Sequence, residues 1–300
     1  MISGELLKVL RCSACGGTPL ALDVEEQESD VVTKGSLMCP DCKRWYPVHN
    51  DIPSLMPPQL ASNLRAADQH WAQWRVTMTD FLAWRDRVWT DPEQAHARRE
   101  QAAQMHRRFV DFCALPAGEF RCLDVGSGTG HLADLLPPDC HYVGIDPLAG
   151  GSAPGLAAPP EQMPQPQRPV ALVQAVAEDL PFLDESFDAA LIVGSLDHCN
   201  DPRTALAETR RVLRAGGVLG VLLGLHEDRP GGGLGGALRS IRAALSGAKA
   251  LDARSTHMFS FTLEQLRALV AEQFGVDAAT VDESGRGFVR AIREDGGPAQ

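Results

Sequence analysis

The sequence predicts a doubly wound α/β sheet whose last strand is reversed, preceded by a small cysteine-rich module. Three observations carry this prediction. An apolar strand runs directly into the glycine-rich turn 126–130, as at the carboxyl edge of a parallel sheet. Strand-like and helix-like segments then alternate, and the chain closes on two strand-like segments around Ser284-Gly285 that indicate an antiparallel hairpin. Near the N-terminus, four cysteines form two Cys-x2-Cys pairs.

Composition excludes several classes of protein. The 300 residues are 44% hydrophobic and 22% charged, as in a soluble globular chain. Glu5 and Lys8 interrupt any signal peptide, and the longest apolar run, 218–225, is far shorter than the roughly 20 residues of a membrane helix. We therefore expect a cytoplasmic protein without a membrane partner. The net charge of -11 disfavours nucleic acid as a partner, because phosphate contacts need a basic face.

The two cysteine pairs predict a metal site. Cys12 and Cys15 are separated by 23 residues from Cys39 and Cys42, and each pair places two thiolates on a tight turn. Four such thiolates can meet at one tetrahedral Zn²⁺, which then has no open position and is structural. The alternatives are two unrelated pairs or a disulfide, and a cytosolic chain disfavours the disulfide.

Residues 6–57 resemble a known family of small zinc-ribbon proteins. The four cysteines, the run 10–17 and the ending Tyr46-Pro47-Val48…Ile52-Pro53 are similar to activator subunits of tRNA and protein methyltransferases. The resemblance implies that a zinc ribbon over 1–58 docks on and stabilises the rest of the chain.

Residues 59–115 are expected to form a helical linker or lid. Asp91-Pro92-Glu93 is a plausible helix start. Tryptophans at helical spacing usually pack in a core, although a lid over a ligand is the alternative. The tryptophans concerned are Trp71, Trp74, Trp84 and Trp89.

The third predicted region, 116–300, contains the alternating elements. Residues 149–169 are rich in Gly, Ala, Pro and Gln, which predicts a long surface loop. Helices are expected near 130–136, 205–213 and 263–274. Strands are expected near 120–124, 141–145, 170–175, 188–193, 218–225, 276–282 and 287–293.

The glycine spacing distinguishes between two kinds of nucleotide site. A dinucleotide turn needs a third glycine where this chain has His131, so the fit is to Gly-x-Gly-x-Gly after Asp124. The run 123–130, Leu-Asp-Val-Gly-Ser-Gly-Thr-Gly, resembles motif I of class I S-adenosylmethionine-dependent methyltransferases. Val143-Gly144-Ile145-Asp146-Pro147, the run 177–188 and the turn 211–217 are similar to further motifs of that family, in the same order.

This resemblance covers about residues 115–225 and implies a Rossmann-like fold, methyltransferase activity and S-adenosylmethionine as cofactor. In the family, the acid corresponding to Asp146 binds both ribose hydroxyls and the 177–182 segment lines the adenine. Asp124 could orient the glycine loop or reach the cofactor's ammonium. The family often has an acid where this chain has Val176, so either Glu178 or Asp179 substitutes or the adenine is held by backbone groups and packing. The implied cofactor-binding residues are Asp124, Gly126, Ser127, Gly128, Gly130, Asp146, Pro147, Ala177, Glu178, Asp179 and Ser195.

Candidates for catalysis follow the fourth and fifth strands of the predicted sheet. His198 could be a general base because its ordinary pKa lies near neutrality, and Asp197 stands beside it. His226 and His257 are further candidates, and each of these residues could instead be purely structural.

The methyl acceptor is the least defined part of the prediction. No Asn-Pro-Pro-Tyr signature follows strand four, which together with the acidic charge favours an oxygen, nitrogen or carbon atom of a small metabolite. The alternatives are RNA, since some ribosomal RNA methyltransferases also carry an N-terminal zinc ribbon, and a cofactor-binding scaffold without turnover.

Overall fold

A computed structural model describes residues 2–57, 69–151, 163–225 and 257–295. Its α-helices are α1 (Gly4–Val9), α2 (Gln69–Thr90), α3 (Pro92–Cys113), α4 (Pro202–Val212) and α5 (Leu263–Ala271). Its strands are β1 (Ala21–Glu28), β2 (Val31–Met38), β3 (Trp45–His49), β4 (Ile52–Pro53), β5 (Phe120–Val125), β6 (Cys140–Ile145), β7 (Ala171–Val173), β8 (Phe187–Val193), β9 (Leu213–Gly224), β10 (Gly275–Val281) and β11 (Arg286–Ile292). His226 lies outside the described residues.

Strands β1 to β4 form an antiparallel sheet in chain order. On β2 and β3, buried side chains alternate with more exposed ones, as expected for a sheet with one packed face. The four paired cysteines lie in the turns around Cys12 and Cys39, next to this sheet. This part of the structure is the four-cysteine ribbon that the sequence predicts.

The larger sheet contains seven strands within the described ranges, in the order β10-β11-β9-β8-β5-β6-β7. Strands β5 to β9 are parallel, whereas β11 runs antiparallel to β9 and to β10. The strand order reverses between β5 and β8, which opens a crevice at their carboxyl ends. The predicted doubly wound sheet with a reversed last strand is confirmed.

One hydrophobic core joins the two sheets. Leu10 of the ribbon and Phe182 of the segment before β8 are both fully buried in it, and they pair as an isolated antiparallel bridge. Phe182 in turn contacts Phe187 edge to face, with ring centroids 5.0 Å apart. The ribbon therefore packs directly on the larger sheet.

Helix α3 packs against β9 and β11 of the larger sheet, and α2 packs against α3 and the loop after β8. Phe109 on α3 is fully buried and contacts Phe288 of β11, with ring centroids 5.5 Å apart. Trp71 and Trp74 on α2 are buried edge to face at 5.5 Å, in a cluster with Met78 and Val176. Both tryptophans therefore pack in a buried cluster, and Trp74 also lines the cavity described below.

One predicted element was wrong. The helix expected over 130–136 is a single 3₁₀ turn, His131–Leu135, because Pro137-Pro138 leaves too few residues to nucleate an α-helix. Strand β9 begins within the predicted turn 211–217, but its pairing with β8 skips from Leu213 to Val218, and Gly216 between them has a φ of 74°. Among the described residues, no helix combines the length and the apolar character needed to cross a membrane.

Candidate functional site

A cavity of about 440 Å³ opens where the strand order reverses, at the carboxyl ends of β5, β6 and β8. One wall, the glycine wall, consists of the turn after β5 and the turn after β6. The other wall, the aromatic wall, consists of one face of α2 and the loop after β8. The glycine wall contains Gly126, Ser127, Gly128, Thr129, Asp146, Pro147 and Leu148, and the aromatic wall contains Trp74, Met78, Phe81, Arg85, Ser195 and His198.

The glycine turn needs residues without a side chain. Gly126 has a φ of 78°, in the left-handed region, and a Cβ there would collide with the side chain of Ser195. The amides of Gly126 and Ser127 both donate to the Ile145 carbonyl, at 2.8 and 2.9 Å. Ser195 is itself fixed, since its hydroxyl donates to the Val125 carbonyl at 2.5 Å. The backbone of the turn is thereby held open toward the cavity.

Asp146 caps the turn that follows β6. One carboxylate oxygen accepts from the Gly128 amide at 2.9 Å, and the other accepts from the Leu148 amide at 2.7 Å. Burial raises the pKa of Asp146, and these two amide bonds oppose that rise. Each carboxylate oxygen can accept a second hydrogen bond, so the group can also receive two hydroxyls from a ligand in the cavity.

Asp124 lies behind the glycine turn and is not part of the cavity wall. The Tyr142 hydroxyl donates to one of its oxygens at 2.6 Å, and the other oxygen is buried without a partner in the described structure. Burial raises the pKa of Asp124 to about 7, with the charge of Asp146 adding to the rise and the bond from Tyr142 opposing it. Its geometry suits support of the turn.

The segment after β7 contributes the remaining predicted cofactor residues. Ala177 and Glu178 line the cavity together with Val176, which is buried against α2. The Glu178 carboxylate accepts from the Asn200 and Asp201 amides at 2.6 and 3.1 Å, which fixes the loop after β8. Asp179 does not line the cavity, and neither does Gly130, whose φ of 84° begins the 3₁₀ turn.

The three catalytic candidates meet at the aromatic wall. The His257 Nδ1 atom lies 2.7 Å from a carboxylate oxygen of Asp197, within ion-pair distance, although the two groups are not aligned as a straight hydrogen bond. The His198 ring stacks on the His257 ring with centroids 4.4 Å apart, and Phe81 contacts His198 at 4.8 Å. Of the three candidates, His198 faces the cavity.

Backbone bonds hold this cluster together. The amides of Met258 and Phe259 both donate to the Asp197 carbonyl, at 2.8 and 3.1 Å. Asp197 is only 5% exposed, so solvent screens little of the interaction between its carboxylate and the two imidazoles. One nitrogen of His198, one nitrogen of His257 and one carboxylate oxygen of Asp197 lie within 4.8 Å of one another, close enough to hold a metal ion.

The four ribbon cysteines form a second cluster. Cys12 Sγ lies 3.6 Å from Cys42 Sγ, and Cys15 Sγ lies 3.6 Å from Cys39 Sγ. Sulfurs around a tetrahedral zinc ion are about 3.8 Å apart, and all four sulfurs lie within 4.8 Å of one another, so the cluster can hold one Zn²⁺. A Cβ at Gly17 would approach Cys39 Sγ to 3.0 Å, which shows how closely the turn surrounds the site.

Several wall residues were missed by sequence reasoning. Phe81 and Arg85 lie one turn apart on α2, between Trp74 and Trp89, and Ile52 of the ribbon also reaches the cavity. His131, used above only to reject a dinucleotide turn, lines the cavity and contacts His106 at 3.4 Å. Burial lowers the pKa of His106 to about 3, so both rings are neutral near pH 7. The helical spacing of Trp74, Met78, Phe81 and Arg85 was the signal that could have found this face.

Comparisons with known proteins agree with this geometry. A family model described as a methyltransferase domain matches residues 123–221, and one described as a Trm112p-like protein matches residues 4–51. The O-methyltransferase rstn1 of Aspergillus nomiae is 34% identical over 153 residues, which cover 50% of this chain and 67% of that protein. The uncharacterised methyltransferase Rv3342 of Mycobacterium tuberculosis is 37% identical over 118 residues, 39% of this chain and 45% of that protein. The chain spans about two thirds of the length of rstn1 and about half of the length of Rv3342.

Among solved structures, the YcgJ protein of Bacillus subtilis is similar over 64% of this chain and all of its own length, with 19% identity and a TM-score of 0.44.

Proposed function

Because the chain belongs to the family of S-adenosylmethionine-dependent methyltransferases, we propose that it methylates an oxygen atom of a small, largely apolar molecule. The observation that carries the proposal is the cluster of Asp197, His198 and His257, of which His198 lines the cavity. A hydroxyl acceptor must lose its proton as it is methylated, and this cluster can receive it.

We assign the cofactor to the glycine wall. The open space beside Gly128 leaves room for the amino-acid end of S-adenosylmethionine, and Asp146 has acceptor capacity for both ribose hydroxyls. Glu178 is already engaged by two backbone amides, so we assign the adenine to packing near Val176 and Ala177 and to backbone groups. Asp124 would support the turn from behind, through Tyr142.

Methyl transfer is an in-line displacement, in which the acceptor oxygen bonds to the methyl carbon as the carbon–sulfur bond breaks. When bound, S-adenosylmethionine supplies this methyl group on a sulfonium and leaves as the neutral thioether S-adenosylhomocysteine. We assign the hydroxyl proton to the His198 imidazole, which faces the cavity. His257 would hold the His198 ring by stacking, and the buried Asp197 carboxylate would stabilise the positive charge on the histidine pair.

The aromatic wall supports an apolar acceptor that contains a ring. Trp74, Met78 and Phe81 present apolar surface to the cavity, on which an aromatic ring or alkyl chain could pack. The name of the first relative described above, an O-methyltransferase, supports oxygen as the acceptor atom. The net charge of -11 speaks against RNA.

The four ribbon cysteines are proposed to hold a structural Zn²⁺. The sulfur spacings of 3.6 Å support this assignment, and four thiolates leave the ion no position for substrate. Metal analysis of the purified chain should give one zinc per chain, lost in Cys39→Ser and retained in His257→Ala. A second equivalent that His257→Ala removes would instead make the histidine cluster a metal site.

The acceptor class is tested by labelling. The purified full chain is incubated with methyl-labelled S-adenosylmethionine and, separately, with the small-molecule, RNA and protein fractions of a cell extract. We expect label in the small-molecule fraction, in products that a His198→Ala variant forms much more slowly. Label in RNA would overturn the proposal in favour of RNA methylation, and cofactor binding without label in any fraction would indicate a scaffold.

A further inference from the structure

The zinc ribbon, residues 2–57, extends the larger sheet at its β7 edge. Ser54 pairs with Gln174 as an isolated parallel bridge immediately after β7. The Gln174 amide donates to the Pro53 carbonyl, and the Leu55 amide donates to the Gln174 carbonyl, each at 2.9 Å. The main chain of Gln174 is therefore fully occupied by the ribbon.

A second pairing fixes the other side of the same segment. The Arg11 amide donates to the Pro181 carbonyl at 2.9 Å, and the Leu183 amide donates to the Val9 carbonyl at 2.8 Å. Between these two anchor points lie Val176, Ala177 and Glu178, which line the cavity. The ribbon thus holds both ends of one cavity segment.

The side chain of Gln174 points from this edge to the turn that contains Asp146. Gln174 is 4% exposed, and its Nε2 donates to the Pro147 carbonyl at 3.0 Å. The Asp146 amide donates to the Val173 carbonyl at 3.2 Å, and the Asp146 carboxylate accepts from Gly128. A continuous series of hydrogen bonds therefore runs from the ribbon through Gln174 to the glycine wall.

We propose that Gln174 is a positioning residue through which the zinc-loaded ribbon sets the turn 146–148, so that cofactor affinity depends on the ribbon. This inference rests on the proposed cofactor site, but not on the identity of the acceptor. A small sheet closed by four thiolates keeps its shape only while the metal is bound. Loss of the metal should therefore release Pro53 and Leu55, and with them Gln174.

The test compares two substitutions that each remove one buried hydrogen bond at nearly constant volume. Gln174→Met removes the donor to Pro147 and leaves the backbone pairing intact. Thr209→Val, the control, removes the buried bond from the Thr209 hydroxyl to the Ala205 carbonyl at 2.8 Å, on α4 and away from the cavity. Calorimetry of the full chain measures the Kd of S-adenosylmethionine, and thermal melting measures the stability of each variant.

We expect Gln174→Met to weaken cofactor binding roughly fivefold to tenfold with its zinc content unchanged. Thr209→Val should lower the melting temperature by a similar amount and leave the Kd unchanged. An unchanged Kd in Gln174→Met, or an equal change in both variants, would overturn the inference. Since the measurement needs no acceptor, a failed acceptor assignment does not affect it.

A second experiment removes the zinc and so tests the ribbon end of this series of hydrogen bonds. Cys42→Ser should lose zinc and weaken cofactor binding, and adding Gln174→Met to it should cost much less than Gln174→Met alone, because the two changes break the same connection. Additive losses would contradict a route through Gln174. If Cys42→Ser does not fold, the zinc-loaded Gln174→Met variant still decides the question.

Discussion

The two walls of the cavity are built in different ways. The glycine wall comes from two turns of adjacent parallel strands, and its contacts are mostly to backbone atoms, such as the bonds from Gly128 and Leu148 to Asp146. The aromatic wall is assembled from α2 and the loop after β8, and it faces the cavity with side chains such as Phe81 and His198, whose rings contact each other. A wall made of backbone can hold one invariant ligand, whereas a wall made of side chains can be adapted to different acceptors.

The largest expected effect is on the glycine wall. Gly126→Ala places a Cβ against Ser195 at a residue whose φ is 78°, so both sterics and backbone strain oppose the native turn. We expect cofactor affinity to fall on the order of 100-fold, measured by calorimetry. Gly118→Ala is the control, because Gly118 has the same φ of 78° but open space around its Cα. Equal losses of cofactor affinity in the two variants would mean that backbone strain alone lowers the affinity, and not the contact of the new Cβ with Ser195.

On the aromatic wall, the largest effect should come from His198. Removing a general base slows a reaction by roughly 100-fold or more, so His198→Ala should lose that factor in turnover while its Kd for S-adenosylmethionine stays near that of the native chain. Single-turnover kinetics with the labelled cofactor separates these two quantities. A loss of only a few-fold would assign His198 to packing, together with Phe81 and His257.

Asp146 tests whether the glycine wall binds ribose. Asp146→Asn replaces one acceptor oxygen by an amide group that can accept neither from a backbone amide of the turn nor from a ribose hydroxyl, so cofactor affinity should fall roughly tenfold. Asp134→Asn is the matched control, since that carboxylate accepts from the Gln167 amide at 2.9 Å outside the cavity. An unchanged Kd in Asp146→Asn would remove the ribose assignment.

The sequence predicts the residues of the glycine wall better than those of the aromatic wall. The clustering of the four cysteines and the positions of the glycine turn and Asp146 at the cavity could be predicted because short local motifs mark each of them. His257 was a candidate only by its place after strand five, and its contact with Asp197 depends on folding that joins residues 60 apart. Phe81, Arg85 and Gln174 were missed because packing between α2, the ribbon and the sheet determines their neighbours. The predicted helix at 130–136 was wrong because Pro137-Pro138 ends the segment after a single turn.

A substitution at Asp124 should have a smaller effect, which concerns how the stability of the fold depends on pH. Burial raises its pKa to about 7 in the folded chain, whereas in the unfolded chain it ionises near its ordinary value of 3.8. Between these two pH values the folded state holds more protons, so stability decreases as the pH rises and the loss is complete above pH 7. Asp124→Asn retains an acceptor for Tyr142 and should flatten this slope. Urea unfolding from pH 4 to pH 8 measures it, and parallel curves for the two proteins would contradict a buried, proton-binding Asp124.

The smallest expected effect concerns acceptor binding at the aromatic wall. Phe81 faces the cavity and contacts His198, whereas Trp84 contacts Phe81 at 5.8 Å but does not line the cavity. Phe81→Leu should raise the KM for a ring-containing acceptor roughly threefold with the cofactor Kd unchanged, and Trp84→Leu should change neither constant. If Phe81→Leu weakened cofactor binding instead, the aromatic wall would belong to the cofactor site, and the acceptor would have to enter from another face of the cavity.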